Sequence, residues 1–262
     1  QADFSTLPVG DFPVTEIQEF EREVALPGKE LSDLIEKTSF AMASQDVRYY
    51  LNGILLEVSP SQINVVATDG HRLAWSSCKI KTDFTDEKII IPRKSALELQ
   101  KLLNLYPENV NVAFNSNQLK VFSDEYTFIS KLIEGSYPDY EKVFPKGTEQ
   151  KLKANKSLVQ TALNRAAVLS NEKYRGVKFI LEKDNLKICA NNPSKESAEE
   201  EVLVEYSGDS FEIGFNISYV QESLSAISNN EVEFVFFGSE NSCLVKNIDD
   251  ESLIHVIMPM RL

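Results

Sequence analysis

One pattern of elements occurs twice along this chain of 262 residues. Leu31 aligns with Leu158, Ser44 with Asn171 and Arg48 with Arg175, each pair 127 positions apart. Ala67-Thr68-Asp69 aligns with Ala190-Asn191-Asn192 at a spacing of 123, and Val110 with Val232 at 122. The spacing drifts by a few residues, as it does where turns differ in length. Solenoid repeats run to roughly 20–50 residues and lean on their neighbours. A unit of about 120 residues can bury a core of its own, so this is a duplicated domain.

Within the leading unit, Leu31, Leu34, Ile35, Thr38 and Met42 of LSDLIEKTSFAMA fall at helical spacing. VRYYL, ILLEV and INVVAT read as strands, with Ser59-Pro60-Ser61 as a turn. KIIIP runs into a second helix over 93–104, carrying Leu97, Leu99, Leu102 and Leu103. VNVAF, QLKVF and YTFISKLI close the unit, with a hairpin at Asn115-Ser116-Asn117. In the trailing unit KSLVQTALNRAAVLS repeats the first helix, and KFILE and LKICA are strands about Asp184-Asn185. FEIGFNISYVQESLSAIS is a strand entering the second helix; VEFVFF, SCLVK and LIHVIM are the last strands.

Two helices on one face of an antiparallel sheet is the economical packing for such a unit. The expected fold is α+β, two tandem copies, with a sheet able to extend edge to edge between them. The boundaries read as a linker over 1–23, a domain over 24–140 and a domain over 141–262. DFP at 11–13 stands before its unit much as YPDY stands at 137–140. Residues 1–20 therefore read as the end of an earlier copy, and a start without Met reads as a cut.

Hydrophobic residues at 42% and charged residues at 26% describe a globular chain. No apolar run approaches the ~20 residues of a membrane helix, and no signal peptide opens the sequence. The three cysteines, Cys78, Cys189 and Cys243, are far apart, which fits a reducing compartment better than a disulfide framework or a metal site. A net charge of −13 speaks against a phosphate-binding surface unless a basic stripe is segregated on one face.

No phosphate-binding loop, dinucleotide fingerprint or zinc-protease motif is present. Asp69 and His71 in TDGHRL could form an acid–base pair, but Asp-Gly is first a tight-turn signal, and no nucleophile elbow accompanies it. The acidic run ESAEEEVLVE at 196–205 reads foremost as a solvated face, and Tyr49-Tyr50 as ordinary strand packing. The greasy terminus HVIMPMRL is unusual, because chain ends are commonly polar and frayed.

Taken in order, VRYYLNG, TDGHRLA, IPRK, YPDY, LSNEKYRG, NNP, IGFN and MPMRL resemble the bacterial sliding clamps, the beta subunits of DNA polymerase III, from Val24 onward. The resemblance implies a non-catalytic processivity factor without cofactor or metal. It implies three like domains per subunit, here the second and third, and a head-to-tail homodimer forming a six-domain ring around duplex DNA in the cytoplasm. Helices would line the hole and sheets the wall. Lys29, Lys37, Arg93, Lys94, Lys101, Lys156 and Arg165 are the basic candidates for the helix face. Gln45, Tyr49, Tyr50, Arg93 and Lys94 are the DNA-facing positions carried over.

The resemblance also implies a groove for short linear peptides of the polymerase alpha subunit, the clamp-loader delta subunit, other polymerases and repair proteins. Carried over residue by residue, Leu51, Thr68, Gly70, His71, Arg72 and Leu73 line it from one domain, and Pro138 and Val143 from the connector. Asn216, Tyr219, Ser242, Val256, Met258, Pro259, Met260, Arg261 and Leu262 line it from the other. Flexible thioethers suit varied partners, Pro259 keeps the tail from pairing as a long strand, and Arg72 and Arg261 would hold polar groups at the rim. Lys142 stands where an arginine is expected and is left outside. Val168 and Leu169 are the apolar centre of the implied dimer contact, with the 196–205 run as its rim. Two other readings stand beside this one: a peptide-binding scaffold without DNA, and a hydrolase built on Asp69 and His71.

Overall fold

The structure, a computed structural model, describes residues 2–12, 19–20, 22–82, 85–248 and 250–261. Pro13, from the expected linker motif, and Leu262, from the expected groove, lie outside the described residues.

The leading domain runs β1 (Glu23–Pro27), α1 (Gly28–Ser39), β2 (Gly53–Val58), β3 (Gln62–Thr68), β4 (Arg72–Lys79), β5 (Glu87–Pro92), α2 (Arg93–Leu105), β6 (Asn109–Phe114), β7 (Gln118–Phe122) and β8 (Thr127–Lys131). The trailing domain runs β9 (Gln150–Asn155), α3 (Lys156–Ala167), β10 (Gly176–Glu182), β11 (Asn185–Asn191), β12 (Ser197–Leu203), β13 (Glu205–Tyr206), β14 (Phe211–Asn216), α4 (Ile217–Ala226), β15 (Glu231–Phe236), β16 (Cys243–Asn247) and β17 (Leu253–Ile257).

Each domain therefore spreads its strands over two antiparallel sheets rather than one. The orders are β1-β6-β7-β8, β12-β11-β10-β14 and, continuous across both domains, β13-β9-β15-β16-β17-β4-β3-β2-β5. Alternation along a strand reveals an inward face but not which strand lies beside it. The predicted edge-to-edge extension is present: β17 pairs with β4, His255 opposite Ala74 and Val256 opposite Leu73. In the leading domain, helix residues Leu31, Leu34, Ile35, Leu99 and Leu103 share one core with Val24, Val110 and Val121 of one sheet and Ile54, Val65 and Ile91 of the other. The trailing domain is built alike around Val159, Leu163, Phe179, Ile188, Phe215 and Phe234.

Equivalent helices start by different means. Pro27 and Pro92 stand at the helix entrances of the leading domain with φ near −60° and no side-chain cap, whereas Asn155 and Asn216 accept from Leu158 N and Ser218 N in the trailing domain. Both remove freedom or an orphan donor at the first turn. The helix start at Gly28 admits no side chain, because a Cβ there would meet the Glu108 carbonyl at 2.5 Å.

VRYYL is not a strand. Tyr49–Leu51 forms a single 3-10 turn. The Asn52 amide bonds the Asp46 backbone in both directions, at 2.9 and 2.8 Å, and this local closure overrides the strand preference of paired tyrosines.

Candidate peptide groove at the domain junction

The turn between β3 and β4 is fixed by its own side chains. Asp69 Oδ1 accepts from His71 N at 2.9 Å and Arg72 N at 3.1 Å. Thr68 Oγ1 donates to the Arg72 carbonyl at 2.6 Å and accepts from Gly70 N at 3.1 Å. Gly70 has φ +90°, a left-handed conformation that disfavours a side chain, and its Cβ position lies 3.0 Å from the Arg48 guanidinium. Arg48 itself clasps Asp46 and donates to the Asp69 carbonyl at 3.2 Å, tying the 45–51 loop to this turn.

From the turn, β4 alternates. Leu73 and Trp75 face away from the helices, while Arg72, Ala74 and Ser76 face toward them. On the outer face Leu55, Val66, Leu73, Ile90, Tyr140 and Val256 form a buried apolar patch. Tyr50, Trp75, Tyr137, Val143, Phe144 and Leu244 pack around it. The connector is strapped over this patch by its aromatic residues. The Tyr137 hydroxyl accepts from Thr68 N at 3.0 Å, and the Tyr140 hydroxyl donates to Glu57 at 2.6 Å. Burial raises the pKa of both phenols, so they remain neutral across the ordinary range.

The tail leaves β17 along the same turn. Met258 N donates to the His71 carbonyl at 3.0 Å, Pro259 breaks the ladder, and Met260 N donates to the Gly214 carbonyl of β14 at 2.9 Å. The last described residues are thus pinned between the 68–73 turn of one domain and β14 of the other. Met258, Pro259 and Met260 are half-buried and Arg261 is exposed. Pro259, Met260 and Arg261 border a recess shared with Lys178, Glu212 and Ser239.

Most of the expected groove residues meet at this junction, but in different roles. Leu73, Val143 and Val256 are patch members, and His71 and Gly70 stand on the turn. Leu51 is fully buried with its carbonyl bonded to Ala43 N; Pro138 is exposed and Ser242 half-buried. Asn216 is the cap of α4.

Arg72 is not a rim cation. Its side chain is 9% exposed and points to the helix side, because β4 turns it opposite to Leu73. It binds Asp69 at 3.1 Å, Glu222 of α4 and the Phe40 carbonyl at the end of α1 at 2.7 Å. Its guanidinium lies 5.2 Å from the Phe40 ring and 4.5 Å from the Tyr219 ring. Behind the apolar patch, then, Arg72 and Tyr219 tie the two domains together. Tyr137, Tyr140, Phe144 and Arg48 join the junction without having been expected there as site residues; for the three aromatics, the spacing of YPDYEKVF is the signal in the sequence.

The helix-side cations are less free than expected. Arg93 donates to the Met42 carbonyl at 3.2 Å, and Lys156 to the Ile227 carbonyl, each steadying the end of the neighbouring helix. Lys29, Lys101 and Arg165 pair with Asp33, Glu98 and Glu200. Lys94, Gln45 and Tyr49 are exposed, while Tyr50 packs on the outer patch. At the other end of the trailing domain, Val168 is 78% exposed at the end of α3, and Leu169 is half-buried.

Two like α+β units joined sheet to sheet, with both helix pairs on one side of the common sheet, define the fold class of the DNA clamps. Residues 25–139 match the family described as DNA polymerase III beta subunit, central domain, and residues 141–261 the family described as DNA polymerase III beta subunit, C-terminal domain. The chain is 45% identical over 259 residues to the beta sliding clamp of Pseudomonas aeruginosa, covering 98% of this chain and 71% of that one. It is 43% identical over 258 residues to that of Escherichia coli K12, covering 98% and 70%. A crystal structure of the P. aeruginosa subunit superposes with TM-score 0.96 at 44% identity, over 98% of this chain and 71% of that one. A griselimycin-bound P. aeruginosa clamp gives 0.94 at 44% identity, over 98% and 70%. The chain belongs to the DNA polymerase III beta subunit family, the bacterial sliding clamps.

Proposed function

We propose that the chain acts as part of a ring that encircles duplex DNA, tethers the replicative polymerase in the cytoplasm, and carries out no catalysis itself. Its partners dock through short peptides in the trough between the tail and the 68–73 turn. One observation carries this reading: Met258–Arg261 run from the turn of one domain to β14 of the other, beside an apolar patch floored by Leu73 and Val256. Burying one Leu or Phe anchor there contributes about 1.5–3 kcal/mol. Two anchors, less the cost of ordering a peptide, correspond to roughly micromolar affinity, which permits exchange among the polymerase alpha subunit, the clamp-loader delta subunit and repair proteins.

The ion pairing of the helix-side cations favours weak, sequence-independent DNA contact. Lysines and arginines already held by carboxylates displace few counterions from a phosphate backbone. Sliding needs that weakness. Sheet order supports head-to-tail closure: β12 occupies in the trailing domain the place of β4 in the leading one, and β8 the place of β17. The chain therefore presents one joined β4–β17 seam and two open halves of the same seam. In the longer subunit these would join neighbouring domains and close the homodimer, with Val168 and Leu169 at the contact.

The hydrolase reading has less support. Asp69 Oδ1 is occupied by two backbone amides and Oδ2 by Arg72, so the carboxylate orients a turn and not the His71 ring. Titration with a fluorescent pentapeptide of the form Gln-Leu-x-Leu-Phe tests the groove. Micromolar binding that is lost on deleting residues 258–262 is expected; equal binding after the deletion refutes the groove.

A further inference from the structure

His255 occupies the middle of the seam, on the face opposite the apolar patch. It is fully buried and pairs with Ala74 of β4 on one side and Val245 of β16 on the other. Its ring points toward the helices. Nε2 lies 3.1 Å from the Lys37 carbonyl of α1, and the Phe40 ring meets the imidazole edge-on at 5.0 Å. With a carbonyl as partner, Nε2 carries the proton of the neutral ring. Nδ1 faces the backbone of Ser223 on α4, outside hydrogen-bond geometry in the neutral ring, and the hydroxyls of Ser76 on β4 and Ser223 on α4 are buried without partners. A strand of the trailing domain thus holds the last turn of α1, in the leading domain, through one imidazole.

A proton added to this ring would meet the backbone of Ser223 but no free carboxylate. The charges facing it are the Lys37 ammonium from α1 and Arg72 from β4. From α4 comes Glu222, already bound to Arg72, as is Asp69 of the turn. β16 places Val245 opposite, and Asp250, before β17, faces Lys37. Burial is the largest effect and lowers the His255 pKa; the Lys37 and Ser223 backbone groups oppose it, the two cations add to it, and the net fall is from 6.5 to about 4. A histidine lowered in the folded state contributes stability that is fully present above its unfolded pKa. That stability is lost as pH falls from about 6.5 toward about 4.

We propose that His255 is an acid-sensitive latch between the two domains: the neutral ring fastens β17 to α1 and β4, and protonation loosens the seam and the groove on its far side. The consequence for peptides rests on the groove reading above; the latch itself does not.

Trp75, the single tryptophan, pairs with Ile254 across the seam and reports on it directly. Trp75 emission and amide exchange across β4–β17 should change in wild type between pH of about 6.5 and about 4. His255→Phe, which cannot take a proton, should lack that transition. The same transition in His255→Phe overturns the latch. Should that variant fail to fold, the wild-type imidazole decides, since only two histidines contribute ring signals. A His255 ring that gains its proton while seam amides stay protected also overturns it. Gln-Leu-x-Leu-Phe binding should weaken tenfold or more over the same interval, and affinity that holds throughout refutes the coupling. A peptide that binds at no pH, with the Trp75 transition intact, counts against the groove and for the latch.

Discussion

The leading and trailing domains are the same unit with one edge treated differently. β4 of the leading domain is covered: β17 pairs along it, and Phe40 at the end of α1 is packed by Arg72 and His255. β12, its counterpart, is an open edge. There Glu199 and Glu201 project and are held by Lys187, while Arg165 at the end of α3 reaches across to Glu200. Val168 stands one residue beyond the α3 position that matches Phe40, and it is uncovered. An open strand edge invites pairing, and charge is the common means of restricting which partner takes it. Under the ring reading proposed above, the open edge would take a partner in the same backbone geometry, with pairing selected by charge.

Breaking the covered seam should have the largest effect. Val256→Asp places a carboxylate without a cation in a fully buried patch, which should cost roughly 3–5 kcal/mol and abolish peptide binding. The urea midpoint at neutral pH measures the first, and peptide anisotropy the second; a loss under 1 kcal/mol would mean the patch opens to water. Arg72→Ala comes next. It removes bonds to Asp69, Glu222 and the Phe40 carbonyl together with contacts to two rings. Glu222 is half-exposed and can rehydrate, so about 2 kcal/mol is expected. Because Arg72 lies behind the groove, peptide affinity should fall with the stability of the seam, and Arg72→Lys should restore only part of both. Full affinity in Arg72→Ala would separate the seam from the groove.

The duplication, the helices and most strands were legible because apolar periods of 3.6 and 2 survive in each unit. The division of each unit into two sheets was not, since alternation carries no information on neighbours. The tyrosine pair does not form a strand because the Asn52 side chain, closing on the Asp46 backbone, decides that loop. Arg72 adjoins Leu73 in sequence but lies on the other side of the sheet, a consequence of where the β4 register begins. Arg93, Lys156 and Arg165 carry the right charge, yet their partners are 35 to 71 residues away, beyond any local pattern. The motifs of TDGHRL and MPMRL did identify the junction, because a tight turn and an apolar terminus are each unusual and here touch through Met258 and His71.

The smallest effect, and the sharpest test of the comparison, belongs to Val168→Asp. At the covered seam a new carboxylate is expected to be ruinous; at the open edge it should leave the urea midpoint of this chain within about 0.5 kcal/mol, because Val168 is already in water. A loss well above that value would show that Val168 supports the trailing domain internally, and the analogy with the packed end of α1 would fail. With stability unchanged, the variant isolates association. In a subunit carrying all the domains of the ring, Val168→Asp should shift light-scattering mass from dimer toward monomer, since the carboxylate would have to be desolvated beside the acidic β12 edge. Unchanged mass would place the dimer contact elsewhere and leave β12 a guarded edge with no partner.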